Sequence, residues 1–342
     1  MNKKLIALGM MAFVGAPAAA AQSNVAVYGI VDAYIGYAKA GDNKRLGVDS
    51  GGLYGSRLGF RGTEDLGNGL KAVFTLEYSI TVDENEGVGG GPLRARQQFV
   101  GLQGDFGQIT LGRQYAPGYA IARYDAAGGV PFGPQSLMSG AGATITPASP
   151  ARWDNSVSYR APKFGNLSTT AIYSLGEKNQ DQNRRAGDRW AVAGDYANGP
   201  LAVGLIYHHG RDVASGDADQ KEWALGASYN FGIVSLFGTY QTVKTSGTDK
   251  IWHVGGQVPV GPAGSYVFVA YGELDADADE KSASAGVLGY RHALSKRTSL
   301  YVAYNTVDNE SRQNRPNMMP SRVTTELGAS VSGAFLGVSH TF

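Results

Sequence analysis

The chain has no cysteine among its 342 residues. No disulfide can staple it, so an exported protein of this size must be held by core packing or by a long hydrogen-bonded ladder. Charge is sparse: charged residues are 17% of the chain, against about a quarter in ordinary globular domains. The formal net charge is +1, and loss of Lys3 and Lys4 would leave −1. With neither sign in excess, nothing in the charge points to nucleic acid. Long apolar runs are missing as well. The longest uncharged region, 126–151, is broken by Gly and Pro, so it cannot be a membrane helix of about 20 apolar residues. No helical periodicity of useful length occurs either, and that leaves strands.

The first residues are the exception. A basic "MNKK" precedes "LIALGMMAFVGA" and then "PAAAAQ". A basic start, a short apolar core and small residues in an A-x-A arrangement make a secretory signal peptide over 1–21, cleaved after Ala21. The apolar run of twelve is too short to cross a bilayer. One domain, 22–342, remains.

What the chain has in plenty is Gly, 49 residues, and Tyr, 19. Its dominant pattern has period two. Apolar residues alternate with small or polar ones in "VAVYGIVDAYIGYA", "LKAVFTLEYSI", "WALGASYNFG", "SYVFVAYGEL" and "SLYVAYNTV", and each segment ends in Gly, Asn, Asp or Ser. About sixteen strands fit this spacing. Short connections, such as 104–107, 163–166, 197–200 and 294–298, alternate with longer charged ones at 39–54, 81–93, 177–188, 211–220, 244–249, 273–282 and 308–322. Short turns on one rim and long loops on the other form the plan of an up-and-down transmembrane barrel. A β-sandwich would not run this long without a domain break, and a propeller or β-helix would show a fixed repeat. The last residues, with Ala334, Leu336, Val338, His340 and Phe342 on one face, suit a final strand that closes on the first.

In such a barrel one strand face meets lipid and the other the lumen. A Lys or Arg at the lipid midplane costs about 2–4 kcal/mol, so the charged face is expected inside. This places Arg57, Arg61, Lys71, Thr75, Glu77, Arg94, Arg96, Gln98, Arg113, Asp32 and Tyr34 inward. Leu58, Phe60, Phe74, Leu76, Tyr78, Phe99 and Gly101 then face outward, as do Tyr290 and His292, whose amphipathic rings suit the membrane interface. About sixteen strands leave an aqueous lumen, expected to be polar and free of large apolar groups. The connection 116–151 is long, weakly polar and carries only Arg123 and Asp125 as charges. Loops of this length are usually functional. Folding inward would bury it and narrow the channel; an exposed loop in subunit contact is the rival.

The stretches "NVAVYGIVDAYIGY", "SRLGFRGTEDLGNGLKAVFTLE", "RQQFVGLQGDFGQITLGRQ", "YRHALSKRTSLYVAY" and "GVSHTF" together resemble the trimeric general porins of Gram-negative bacteria, most closely the beta-proteobacterial ones. The resemblance implies an all-β transmembrane antiparallel barrel of sixteen strands whose third external loop folds into the lumen, in an outer-membrane homotrimer. It also implies a constriction with a basic arc on Arg57, Arg96 and Arg152, with Glu77 nearby and Asp125 on the loop. Arg61, Arg94, Arg113 and Arg123 are further pore-lining candidates. Where enteric relatives have Pro-Glu-Phe-Gly, this chain has Pro131-Phe132-Gly133, which depletes the acidic side.

Arginines keep their charge at physiological pH, and several at a narrow throat focus a positive potential that favours anions. The expected function is passive diffusion of small hydrophilic solutes and inorganic anions, with membrane lipid and lipopolysaccharide as surroundings. The alternative is a channel specific for a small anion or organic acid. Bracing of the wall by salt bridges to Glu77 or Asp125 is a second role open to Arg57 and Arg96. No catalytic set, cofactor or metal site is expected. "DADADE" (275–280) lacks the Gly and Glu of a calcium loop, "GVGGG" (87–91) lacks the Lys of a phosphate loop, and adjacent His208 and His209 point to opposite faces.

Overall fold

The computed structural model describes residues 24–84, 94–135, 150–176, 185–214, 218–315, 323 and 325–342. The expected signal peptide and the 87–91 glycine stretch lie outside the described residues. No helix among the described residues is long and apolar enough to cross a membrane.

Seventeen strand segments form one antiparallel sheet: β1 (Asn24–Ala40), β2 (Asn43–Ser50), β3 (Arg57–Gly67), β4 (Leu70–Ser79), β5 (Arg94–Gly104), β6 (Gly107–Tyr115), β7 (Arg152–Arg160), β8 (Leu167–Ser174), β9 (Arg189–Asn198), β10 (Leu201–Ala214), β11 (Ala218–Asn230), β12 (Ser235–Lys244), β13 (Thr248–Pro259), β14 (Tyr266–Asp275), β15 (Ala283–Ala293), β16 (Thr298–Asn309) and β17 (Val331–Thr341). β17 pairs with β1, Ile30 opposite Thr341 and Ala40 opposite Val331, so the sheet closes. β2 pairs with the upper half of β1 and β3 with its lower half. They are two pieces of one wall strand, and the closed barrel has sixteen. Closure removes the sheet edges that lipid could not hydrate.

The break between β2 and β3 corrects the expected loop at 39–54. β1 runs to Ala40, a two-residue turn follows, and Asn43–Ser50 returns as strand. Residues 51–56 then leave the wall. Asp32, on the inward face of β1, holds them with its carboxylate. It accepts the N–H groups of Gly52 (2.7 Å), Leu53 (3.1 Å) and Tyr54 (3.3 Å), and the Tyr301 hydroxyl (2.8 Å). Gly52 has no room for a Cβ, which would strike the Tyr301 hydroxyl. The expected loops at 211–220 and 244–249 are also shorter than their charge suggests. β10 reaches Ala214, β11 begins at Ala218, and only three residues separate β12 from β13. Strands can continue past the lipid band, where charged side chains meet water.

The outward face is apolar: Val27, Ile35, Val48, Val100, Leu205, Leu225, Val254, Val269, Leu288, Val302 and Leu336 are all exposed. Towards the loop rim an aromatic belt runs from β8 to β16 through Tyr173, Trp190, Tyr207, Trp223, Tyr240, Trp252, Tyr271 and Tyr304, with Tyr207 and Trp223 ring centroids 4.4 Å apart. At the turn rim, Tyr159, Tyr196, Tyr229, Phe231 and Phe342 are exposed, and Tyr290 meets His292 at 2.9 Å. These are the girdles of an outer-membrane barrel.

The lumen is not free of large apolar groups, as the sequence had suggested. A 3-10 helix, Pro117–Tyr124, packs on the inward faces of β8 to β12. Tyr124 and Ile121 are buried with Ile206, Ala193 and Ala224. Further along, Phe132 joins Phe268, Tyr301 and Phe335 in one cluster, its ring stacked on Phe335 at 5.1 Å. Hydrogen bonds pin this segment to the wall: Gly118 N–H to His208 Nε2 (2.9 Å), the Tyr124 hydroxyl to Asp195 (2.9 Å), Gln257 to Ala126 O (2.6 Å), and Asn305 to Phe132 O (3.1 Å). Thus 116–135 folds inward on one side of the barrel and leaves the other side open. His208 faces inward and His209 outward, the latter against Trp190 and Asp219.

Candidate functional site: the arginine-lined lumen

A cavity of about 900 Å³ lies between the inward loop and the wall strands β3 to β9. Its lining carries Arg57, Arg96, Arg123, Arg152 and Arg160, and one carboxylate, Asp195.

The wall arginines converge because their strands are neighbours. Gly59 pairs with Glu77 across β3 and β4, and Glu77 with Gln97 across β4 and β5. Glu77 is only 3% exposed. Arg96 Nε donates to it at 2.7 Å, the Tyr28 hydroxyl at 3.1 Å, and Arg57 Nη1 stands 4.0 Å away. Arg96 also donates to the Tyr115 hydroxyl at 2.8 Å, which Arg152 reaches at 3.2 Å. Arg152 further lies over the Tyr115 ring, 4.7 Å from its centroid, and Tyr119 stacks on Tyr115 at 4.0 Å. Arg57 Nε donates to Gly55 O at 2.9 Å, within the segment that leaves the wall. Glu77 therefore neutralises roughly one arginine, mainly Arg96, and Arg57 and Arg152 keep their charge on the lumen surface.

The loop side differs in kind. Pro117, Ala120, Ala122, Gly128, Gly129 and Pro131 line the cavity there. Arg123 also lines it, paired with Asp195 at 3.0 Å. Asp125 does not reach the cavity. It is 2% exposed, and its oxygens accept the N–H groups of Ala127 and Gly129, both at 3.0 Å. It caps its own turn. Phe132 is likewise buried in the wall cluster, and Gly133 sits against Ala127 and Val130, so Pro131 alone of that triplet faces the cavity. Burial and the adjacent Asp195 carboxylate hold the Tyr124 phenol above its ordinary pKa. It stays a neutral donor.

Four residues, Gln98, Phe99, Gly101 and Arg113, take the face opposite to the one expected. A bulge in β5 offsets the register between Glu77 and Tyr78. Arg96 stays inward, but Phe99 and Gly101 come inward while Gln98, in step with exposed Val100 and Leu102, turns outward. Arg113 pairs with Gln98 and shares the outward face of Leu111. It bonds Asp154 at 2.6 Å and Ala95 O at 3.1 Å. Arg61 faces inward near the turn rim, its guanidinium 5.0 Å from the Tyr28 ring, and Arg94 ends β5 opposite Ser79. Neither lines the cavity. Sequence reasoning missed Tyr54, Gly55, Tyr115, Arg160 and Asp195 in the lining. The glycines of "SGGLYGS" were the available signal for the first two: Gly51 sits at φ +83°, a conformation that ends a strand.

Comparison with known proteins agrees with this fold. A Gram-negative porin family model matches residues 7–312. Outer membrane porin protein 32 of Delftia acidovorans is 36% identical over the full length of both chains. An outer membrane porin protein of Bordetella pertussis is 32% identical, covering 88% of this chain and 93% of that one. Among solved structures, an anion-selective porin from Comamonas acidovorans superposes with a TM-score of 0.82 at 31% identity, over 94% of this chain and all of that one. A closed sixteen-stranded barrel, an apolar outer face between aromatic girdles, and full-length likeness to porins have one reading: the chain belongs to the Gram-negative porin family and is a β-barrel channel protein of the outer membrane.

Proposed function

We propose that the protein is a passive diffusion channel that favours anions over cations, with Arg57, Arg96 and Arg152 as the selecting arc. One observation carries this. Five arginines line the cavity against a single lining carboxylate, and Asp125, the loop's own acid, is turned away from it. Fixed cationic groups at a narrow passage with low-dielectric walls concentrate counter-ions. The near-neutral net charge does not oppose this, because local charge, not the total, acts on an ion in the pore. The likeness to a porin whose solved structure is described as anion-selective supports the same reading. Transport rather than catalysis is its activity.

The reading extends to maturation and surroundings. Residues 1–21 act as a cleaved export signal. The apolar outer band meets lipid, and Lys221, Lys244 and Lys250, each beyond the belt on its strand, meet lipopolysaccharide phosphates. Three copies associate through the outward face that carries Gln98, Arg113 and Asp154, polar groups that lipid would not tolerate.

Reversal potentials across a planar bilayer in a KCl gradient test the selectivity: chloride should be favoured, and a potassium preference would overturn the reading. Swelling of liposomes with sugars of graded size should show a cut-off set by size, not by sugar identity.

A further inference from the structure

We propose that this channel favours monocarboxylates with an apolar flank, aromatic or aliphatic, over hydroxylated carboxylates of the same skeleton. The inference rests on the anion-favouring reading and names its preferred organic solutes.

The two sides of the cavity carry it. The wall side offers guanidinium groups from Arg57, Arg96 and Arg152. The loop side offers Pro117, Ala120, Ala122 and Pro131. The loop's one acid is spent on its own backbone, and the rest of the connection, through 149, contains no acidic or basic residue in sequence. A passage between opposed cationic and anionic walls orients water across itself and penalises any solute that displaces that water with hydrocarbon. Here, among the described residues, the loop side adds one charge, Arg123, and that is paired with Asp195 at 3.0 Å. Water against Pro and Ala side chains is weakly held, and an apolar flank that displaces it gains free energy. The carboxylate meanwhile keeps charge-assisted hydrogen bonds to the arginines. A hydroxylated flank meets mostly Pro and Ala on the loop side, where Arg123 is already paired with Asp195, and gives up hydration that these side chains do not replace.

The aromatic stack points the same way. Arg152, Tyr115 and Tyr119 form a ladder, with spacings of 4.7 Å and 4.0 Å, and Tyr119 at its end lines the cavity. A planar ring can extend such a stack. The cavity, about 900 Å³, holds a carboxylic acid on a six-membered ring with room for water.

The test compares cyclohexanecarboxylate with its tetrahydroxy counterpart quinate, and benzoate beside them. Sodium salts at neutral pH set the reversal potential across bilayers holding the intact trimer, with protein-free bilayers correcting for leak. The expected cyclohexanecarboxylate-to-quinate permeability ratio exceeds the ratio of their aqueous mobilities by about threefold or more. Ala120→Asn and Ala122→Asn wet the loop face without adding charge, and each should bring the ratio towards the mobility ratio. A wild-type ratio equal to the mobility ratio overturns the proposal, whether or not the variants fold. So does a raised ratio that both folded variants retain. A KCl gradient on the same bilayers separates the two readings. Chloride preference with carboxylates that follow mobility sinks this inference alone, whereas loss of chloride preference sinks the reading beneath it.

Discussion

Glu77 decides how much arginine charge the lumen sees. It is buried, and Arg96 is bound to it at 2.7 Å while Arg57 stands at 4.0 Å. Arg57→Ala and Arg152→Ala each remove a lumen charge and should move the KCl reversal potential towards cations. Arg96→Ala should move it by a similar amount, because losing the partner of the buried Glu77 uncovers one negative charge. Breaking a buried pair also costs about 3–5 kcal/mol, so this variant should lose its folded-barrel gel mobility at a lower temperature. Arg113→Ala, on the outer face, should leave the potential where it was. A shift there equal to that of Arg57→Ala would mean the face assignment is wrong. Asp32 is the second residue with a distinct task. Asp32→Ala leaves three backbone N–H groups and the Tyr301 hydroxyl without their acceptor, at about 1–3 kcal/mol for each group left unsatisfied. Residues 51–56 should loosen, giving noisier single-channel current and an altered conductance. Asp32→Asn, which keeps one acceptor oxygen, should fall between. Unchanged traces in both would show that the segment holds its place without the carboxylate.

At the scale of elements, alternation made the strands legible, and bulges limited what could be read from it. The inward set on β3 and β4 follows the simple rule, Arg57, Arg61, Thr75 and Glu77 all inward. One inserted residue near Arg96 switches the rest of β5 to the other face, and the exchange of Gln98 for Phe99 and Gly101 follows from it. Nothing local in "RARQQFVG" marks the insertion, because it is a property of the pairing with β4. The inward loop was legible from its composition, yet its seat was not. Gly204 and Gly226, on β10 and β11, leave the space that Tyr124 fills, and a Cβ at either would strike its ring. Gly226→Ala should therefore push the 3-10 helix away from the wall and into the lumen, and single-channel conductance should fall. Gly238→Ala, whose Cβ would meet nothing nearer than 3.6 Å, serves as the control. Equal conductance in the two would show that Tyr124 can repack without moving the helix.

At the scale of the whole molecule, the outer surface is not uniform around the barrel. The aromatic belt covers β8 to β16. Across β5 to β7, above Val100 and Leu111, the outward face instead carries Gln98, Arg113 and Asp154. An ion pair facing hydrocarbon is costly, whereas a subunit interface can hold it. In the proposed trimer, Arg113→Glu places like charges side by side at the seam, so the assembly should dissociate at a lower temperature in unheated gels. Arg113→Glu with Asp154→Arg should restore it. If Arg113→Glu trimers are as heat-resistant as wild type, the interface lies elsewhere on the barrel.

The amino-acid sequence by itself determined the strand count, the closed-barrel plan, the lipid face of most strands and the cationic character of the lumen. All of these follow from period-two alternation and from the cost of charge in lipid, which act locally along each strand. Tertiary structure alone decided that Asp32 anchors residues 51–56, that Asp125 caps its own turn, that Phe132 is buried against the inner wall, and that Arg113 faces outward. Each depends on what a distant strand or loop brings alongside: a neighbour's register, a backbone N–H in need of an acceptor, or a glycine gap in the wall. Such partners are far apart in the chain, and only closing the barrel brings them into contact.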